Sequence, residues 1–347
     1  MAGPSASAVE GFTDSTALLT DPERLRARLA EDGYLFLRRQ VDVGRLAAVR
    51  ADFLAAMAEA GWLTGDREER RAVAEHFCVE PQADYRRVYH RAWRSEAFHR
   101  LPHTLLYSVI APVVGEEALL HPRQIGRIVF PADHSPDGGD YTTPLHQDYV
   151  SVQGTPRTYT AWVPLHDVSW GQGPLAVVRG SHRDGVREST LAYGTGGMEI
   201  TDVRQEDLRC QPFEAGDMLV FHSMTVHRGM PNRTDRFRLS MDFRFQPRSE
   251  PINELSLELS SGDLTWESLY AGWERQDLAY FWRRGPLTTV PFDTSYEDAR
   301  NEKAIEFARR GDRRAVSALQ RMAVHDRSAE RRAVARQLLA RLEAPEG

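Results

Sequence analysis

The run Thr143-Pro-Leu-His146-Gln-Asp148-Tyr carries an imidazole and a carboxylate two residues apart. On a strand such residues point to the same face, so His146 and Asp148 can be offered together. A second imidazole, His227, stands in another β-type run, MLVFHSMTVHRG. Two histidines and one carboxylate form the facial triad of non-haem Fe(II) chemistry, which leaves three positions open for a bidentate 2-oxo acid and then dioxygen. The chain has 12 histidines, so the same pattern also reads as polar residues on a solvated strand. The segment after His227 sharpens the choice. Arg236, Arg238, Ser240, Asp242 and Arg244 alternate with Phe237, Leu239, Met241, Phe243 and Phe245. One face is apolar. On the other, Arg238 can present a planar fork to a carboxylate, with the Ser240 hydroxyl beside it. A half-exposed sheet whose polar side meets water would show the same alternation.

These residues need a scaffold, and the 347-residue chain has the material for one. Apolar residues make up 41 % and charged residues 27 %, enough for a sizeable core under an ordinary surface. The formal charge of −6 argues against a nucleic-acid partner, which calls for a basic patch. Cys78 and Cys210 have no metal or disulfide spacing, which excludes a disulfide scaffold and fits a reducing cytoplasm. No apolar run is long enough to span a membrane, and the N-terminus lacks the basic and apolar regions of a signal peptide.

Residues 1–20 are small and polar and are expected to be disordered. Asp21 as N-cap, Pro22 at the first position and Gly33 as stop then define a helix, followed by a short strand, 34–37. An amphipathic helix is expected from Val43 to Gly61, with Leu46, Val49, Phe53, Leu54 and Met57 on its apolar side. From about Gln124 short β-type runs alternate with turn clusters, the texture of an all-β sandwich or barrel. Past residue 251 the pattern turns helical. The charged stretch 301–347 carries an apolar stripe that must dock on the barrel or on a second subunit. The expected organisation is a mainly β domain over 21–300, flanked by helices, with a helical C-terminal extension over 301–347.

Five segments together resemble the phytanoyl-CoA dioxygenase family of Fe(II)/2-oxoglutarate oxygenases: LHQD (145–148), TAWVPLHDV (160–168), GPLAVVRGSH (173–182), GDMLVFHSMTVHRGMPNRT (216–234) and RFRLS (236–240). EDGYLFLRR (31–39) resembles the family's N-terminal segment. The resemblance implies a double-stranded β-helix, a jelly-roll or cupin-like barrel with iron at one mouth. It also implies His146, Asp148 and His227 as iron ligands, and Arg238, Ser240 and Trp162 around 2-oxoglutarate. Arg179 departs from the family's proline in a turn. The implied partners are dioxygen and a small-molecule substrate, with no nucleic acid and no membrane; a homo-oligomer through the C-terminal helices is one way to cover their stripe. Hydroxylation with release of succinate and CO2 is the simplest outcome. Desaturation, cyclisation and epimerisation stay open, as does a metal-binding jelly roll without turnover.

Other residues have competing readings. His222, at odd spacing from His227, reads as packing, and His166 and His182 as turn or surface residues. Tyr85, Arg86, Arg87, Tyr89, Arg91 and Arg94 could grip an anionic substrate or form a solvated helix face. Gly194, Gly196 and Gly197 lie in a long segment, 183–212, that reads as a mobile cover over the site.

Overall fold

The Asp21 carboxylate accepts the Arg24 N–H, Pro22 needs no donor at the first helical position, and Gly33, at φ +78°, ends the helix. The computed structural model describes residues 9–343 except 75, 81, 136–140 and 260–263. Helix α1 (Pro22–Asp32) runs directly into strand β1 (Tyr34–Leu37). Helix α2 (Val43–Glu59) buries Leu46, Val49, Phe53, Leu54 and Met57, the side its periodicity marks out. Helices α3 (Ala83–Trp93), α4 (Glu96–Arg100) and α5 (Ala111–Val114) follow it.

The strands are β2 (Ala118–Leu120), β3 (Ile125–Val129), β4 (Tyr159–Pro164), β5 (Leu175–Val178), β6 (Thr190–Leu191), β7 (Met198–Glu199), β8 (Leu208–Arg209), β9 (Met218–His222), β10 (His227–Gly229) and β11 (Arg238–Pro247). A six-stranded antiparallel sheet has the order β1-β9-β4-β11, with β2 and β3 both on the far side of β11. A second sheet, β10-β5-β8, is also antiparallel. Backbone bonds between His146 and His227 carry residue 146 onto its edge. The fold is therefore sheet-rich with flanking helices.

Strand β11 is buried along its whole length. Leu239, Met241, Phe243 and Phe245 join the main core with α2, while Arg238, Ser240, Asp242 and Arg244 share the opposite face at 0–6 % exposure. The polar side thus faces a cavity inside the protein and not bulk water. Buried charge of this density is costly unless paired or held for a ligand.

The expected disorder of 1–20 fails over 9–20; residues 1–8 lie outside the described residues. Phe12 packs on Tyr34, Phe36 and Phe213, and Ser15 N–H donates to the Phe36 carbonyl. Further bonds tie the segment down: Cys210 N–H donates to the Glu10 carbonyl, Phe12 N–H to Gln211 Oε1 and Arg38 N–H to Thr16 Oγ1.

After a short helix α6 (Tyr149–Val152) and a later α7 (Trp266–Tyr270), the chain ends in α8 (Ser295–Arg309), α9 (Val316–His325) and α10 (Ala329–Glu343). Ala304, Ala308, Leu319, Met322, Ala335 and Leu338 bury one another and cover Leu191 and Met198 of the β6–β7 hairpin. The stripe that suggested a second subunit is thus covered within the chain. The same packing holds down the segment expected to be a mobile cover: a Cβ at Gly197 would meet the Ala318 backbone nitrogen at 2.8 Å.

Gly173, opening the GPLAVV segment, sits at φ +76°, and a Cβ there would lie 2.1 Å from the Met230 carbonyl oxygen. Gly173→Ala is expected to cost about 1–3 kcal/mol from the backbone conformation alone, with the clash adding to it. Urea unfolding of the purified variant checks this; unchanged stability would mean that the turn relaxes freely.

Candidate active site

His146 leaves its strand edge beside His227, the ring centroids 4.1 Å apart. His146 Nδ1 lies 2.8 Å from the Pro144 carbonyl oxygen and His227 Nδ1 lies 3.0 Å from that of Thr225. A carbonyl only accepts, so both Nδ1 atoms carry the proton and both Nε2 atoms present lone pairs. Asp148 Oδ1 is 3.7 Å from His146 Nε2 and 3.9 Å from His227 Nε2. The ligand atoms all lie within 4.8 Å of one another.

The other carboxylate oxygen is tethered. The Thr160 hydroxyl donates to Asp148 Oδ2 at 2.6 Å, and Arg244 Nη2 lies 3.1 Å from it. Burial opposes ionisation of Asp148, but the Arg244 guanidinium, the two imidazoles and the Thr160 hydroxyl outweigh it and hold the carboxyl well below its usual range. Burial, with His227 alongside, pushes His146 down to about 3, and burial lowers His227 as well. Two neutral imidazoles and one carboxylate are the protonation states a divalent metal requires.

Arg238 lies on the same strand face as Arg244. Six residues of strand separate them, about 20 Å at the usual rise. Arg238 is 4 % exposed, its guanidinium 5.9 Å from the Trp162 ring, and Trp162 packs edge-on against Phe213 at 4.7 Å. Burial lowers its pKa to about 10. Arg238 has no ion-pair partner among the described residues, and neither its Nε nor the neighbouring Ser240 Oγ has a hydrogen-bond partner. Asp242, between the two arginines, is taken by Arg127 at 2.9 Å. His146, Asp148, His227, Trp162 and Arg238 all line one cavity of about 570 Å³; Ser240 is buried beside Arg238 without lining it.

The remaining candidates separate. His222 packs between Tyr159 and His182 and accepts the Met224 N–H, away from the triad. His166 is no turn-surface residue: it is 4 % exposed, and its Nε2 accepts the Leu239 N–H while Nδ1 donates to the Asp167 carbonyl. Of the aromatic–arginine cluster, Tyr85, Arg86 and Tyr89 line the cavity. Arg87 and Arg91 form exposed ion pairs with Asp84 and Glu59, and Arg94 bonds the Ser268 carbonyl. The roles of Thr160 and Arg244 were not singled out from the sequence. The available signal was that Arg244 shares the strand face of Arg238.

Buried neutral histidines make stability pH-dependent. Burial pushes His99 down to about 4 and His121 and His166 to about 3. Below pH ~6.5 the unfolded chain takes up these protons, whereas the folded chain refuses them until about pH 4. Stability is therefore full above pH 6.5 and falls with pH, by roughly 1 kcal/mol per unit for each histidine. Thermal melts between pH 7 and 4.5 should show a steady drop; a flat profile would contradict the buried neutral state.

A family model described as phytanoyl-CoA dioxygenase (PhyH) matches residues 29–240. The chain belongs to this family. It is accordingly a 2-oxoglutarate-dependent non-haem iron oxygenase, and the set of two neutral histidines with one carboxylate and the unpartnered donors at Arg238 and Ser240 fit both groups. It is similar to the 1-deoxypentalenic acid 11-beta-hydroxylase of Streptomyces arenae, 30 % identical over 69 % of this chain and 86 % of that protein. Human peroxisomal phytanoyl-CoA dioxygenase is 28 % identical over a shorter stretch, 32 % of this chain and 36 % of that one. A looser likeness links it to the epimerase SnoN in complex with Fe3+, alpha ketoglutarate and nogalamycin RO, at 22 % identity and a TM-score of 0.43 over 67 % of this chain and 85 % of that one. No helix among the described residues is long and apolar enough to cross a membrane.

Proposed function

We propose that the protein oxidises a small organic molecule, most simply by hydroxylation, with His146, Asp148 and His227 holding Fe(II) and Arg238 holding 2-oxoglutarate. One observation carries this reading: a triad of two neutral imidazoles and one carboxylate and a buried guanidinium without an ion-pair partner among the described residues face the same cavity. Iron bound there supplies oxidation of a C–H bond by dioxygen, coupled to conversion of 2-oxoglutarate into succinate and CO2.

The contribution of the chain is to bind and orient. The Arg238 fork takes the distal carboxylate of 2-oxoglutarate, the Ser240 hydroxyl adds a donor, and Trp162 walls the pocket. Thr160 and Arg244 hold Asp148 Oδ2, so that Oδ1 is kept toward the two Nε2 atoms. A substrate enclosed in the cavity is oriented toward the triad and shielded from water.

The six-stranded sheet and the β10-β5-β8 sheet, brought together at the His146–His227 bridge, support reading the core as a double-stranded β-helix. The named reaction of the Streptomyces arenae relative supports hydroxylation over desaturation, cyclisation or epimerisation. Two buried free thiols, Cys78 and Cys210, suit a reducing cytoplasm.

Incubation with Fe(II), 2-oxoglutarate and a library of small molecules tests the proposal. Enzyme-dependent succinate with a product heavier by one oxygen is expected. Loss of two hydrogens would overturn hydroxylation in favour of desaturation or cyclisation, and no succinate with any compound would overturn turnover itself.

A further inference from the structure

The cavity extends well beyond the triad, and its outer part carries more positive charge than the chemistry above uses. Arg127 is paired with Asp242 and Arg244 with Asp148. Arg123, Arg300 and Arg321 also line the cavity, and none of them has a carboxylate partner within ion-pair distance among the described residues. Their placement follows from the fold. Arg123 lies in the short link between β2 and β3, where Leu120 pairs with Phe245 and Ile125 with Asp242, so it sits opposite Arg244. Arg300 comes from α8 and Arg321 from α9. Arg300 is 6 % exposed and bonds only the Asn301 side-chain oxygen, at 3.0 and 3.1 Å. Burial, helped by the Arg244 and Arg321 charges on Arg123 and by the Arg321 charge on Arg300, lowers both to about 10. Glu80 and Glu297 reach the same region, at longer range.

Three guanidiniums gathered from separate elements repel one another. Two of them are desolvated as well, an arrangement that costs stability unless an anion fills the space between them. This position lies past Arg244, about 20 Å of strand away from Arg238, so it is not the 2-oxoglutarate carboxylate site. Trp93, Val150 and Phe292 line the cavity as well and supply apolar surface.

We propose that Arg123, Arg300 and Arg321 form a subsite for an anionic group of the substrate, a carboxylate or a phosphate ester on an apolar body. The C-terminal helices then select the substrate. Arg300 and Arg321 lie beyond residue 240, where the family match ends, and Arg123 lies within it, so the subsite is formed where the C-terminal helices meet the shared core. The proposal deepens the oxygenase reading and rests on it only for the oxidation that follows binding.

The test titrates the anaerobic protein, loaded with Fe(II) and saturated with 2-oxoglutarate, with decanoate, decyl phosphate and 1-decanol, read by calorimetry. At least one anion is expected to bind about tenfold or more tightly than the alcohol, as charge-assisted hydrogen bonds to a desolvated group require. The tighter of the two identifies the headgroup. Arg321→Gln and, on a separate element, Arg123→Gln should each weaken that anion about tenfold while leaving 1-decanol and 2-oxoglutarate binding unchanged; Arg321→Lys should restore part of the loss. Equal binding of anions and alcohol, no binding of either anion, or equal loss of all probes in both glutamine variants would overturn the subsite. Failure of the wild-type protein to bind Fe(II) and 2-oxoglutarate would instead overturn the oxygenase reading, and it is measured separately in the same titrations.

Discussion

Asp148→Ala is expected to lose iron, with affinity down by well over 100-fold, since even partners that only support a metal ligand are worth about 10–100-fold. Asp148 is the one carboxylate among the three candidate ligands, so its removal takes away both a donor and the charge that offsets the metal. From sequence alone the fold should not notice. The structure adds a cost, because Arg244, 6 % exposed, has its carboxylate partner in Asp148. Leaving that guanidinium buried and unpaired should destabilise the variant by about 3–5 kcal/mol. A second variant separates the effects: Asp148→Ala combined with Arg244→Met should regain most of the stability and none of the iron. Iron content after desalting and urea unfolding of both variants are the measurements. Iron retained in Asp148→Ala would sink the triad.

The second large effect belongs to Arg238. Truncating a buried partner of a bound carboxylate costs about 2–5 kcal/mol, so Arg238→Ala should weaken 2-oxoglutarate by roughly 30-fold to several thousandfold. Iron binding should be unchanged, because no triad residue touches Arg238. Stability should hold, in contrast to Asp148→Ala, since Arg238 has no ion-pair partner to leave behind. Titration of 2-oxoglutarate into the Fe(II)-loaded variant decides; unaltered affinity would place the cosubstrate elsewhere.

These opposite stability outcomes for two buried charged residues lining one cavity show where local pattern ends. Much was legible in the order of residues. Capping at Asp21 and Gly33, the buried side of α2 and the alternation along β11 all follow from constraints acting within a few residues: hydrogen bonds at a helix end and the periods of helix and strand. The three candidate ligands were legible too, from the H-x-D pattern and the family motifs that bring in His227, although the strand expected to carry Asp148 gives way to a helical turn: Asp148 has φ −66° and caps α6. The polar side of β11 could not be classed as wet or buried from alternation, since that depends on what covers it. The fold of residues 9–20 turned on contacts with distant parts of the chain, Phe12 on Phe36 and Phe213 and the Glu10 carbonyl on the Cys210 N–H. Which guanidinium meets a carboxylate was likewise decided in three dimensions. Arg244 finds Asp148, Arg127 finds Asp242, and Arg238, Arg123 and Arg321 find no carboxylate among the described residues, although all five are equally charged on paper. The C-terminal stripe announced only that it needed a surface. Tertiary packing supplied Leu191 and Met198, and in doing so brought Arg300 and Arg321 to the cavity. Pairing and burial are long-range properties, set by which elements meet, and a sequence encodes them only through the whole fold.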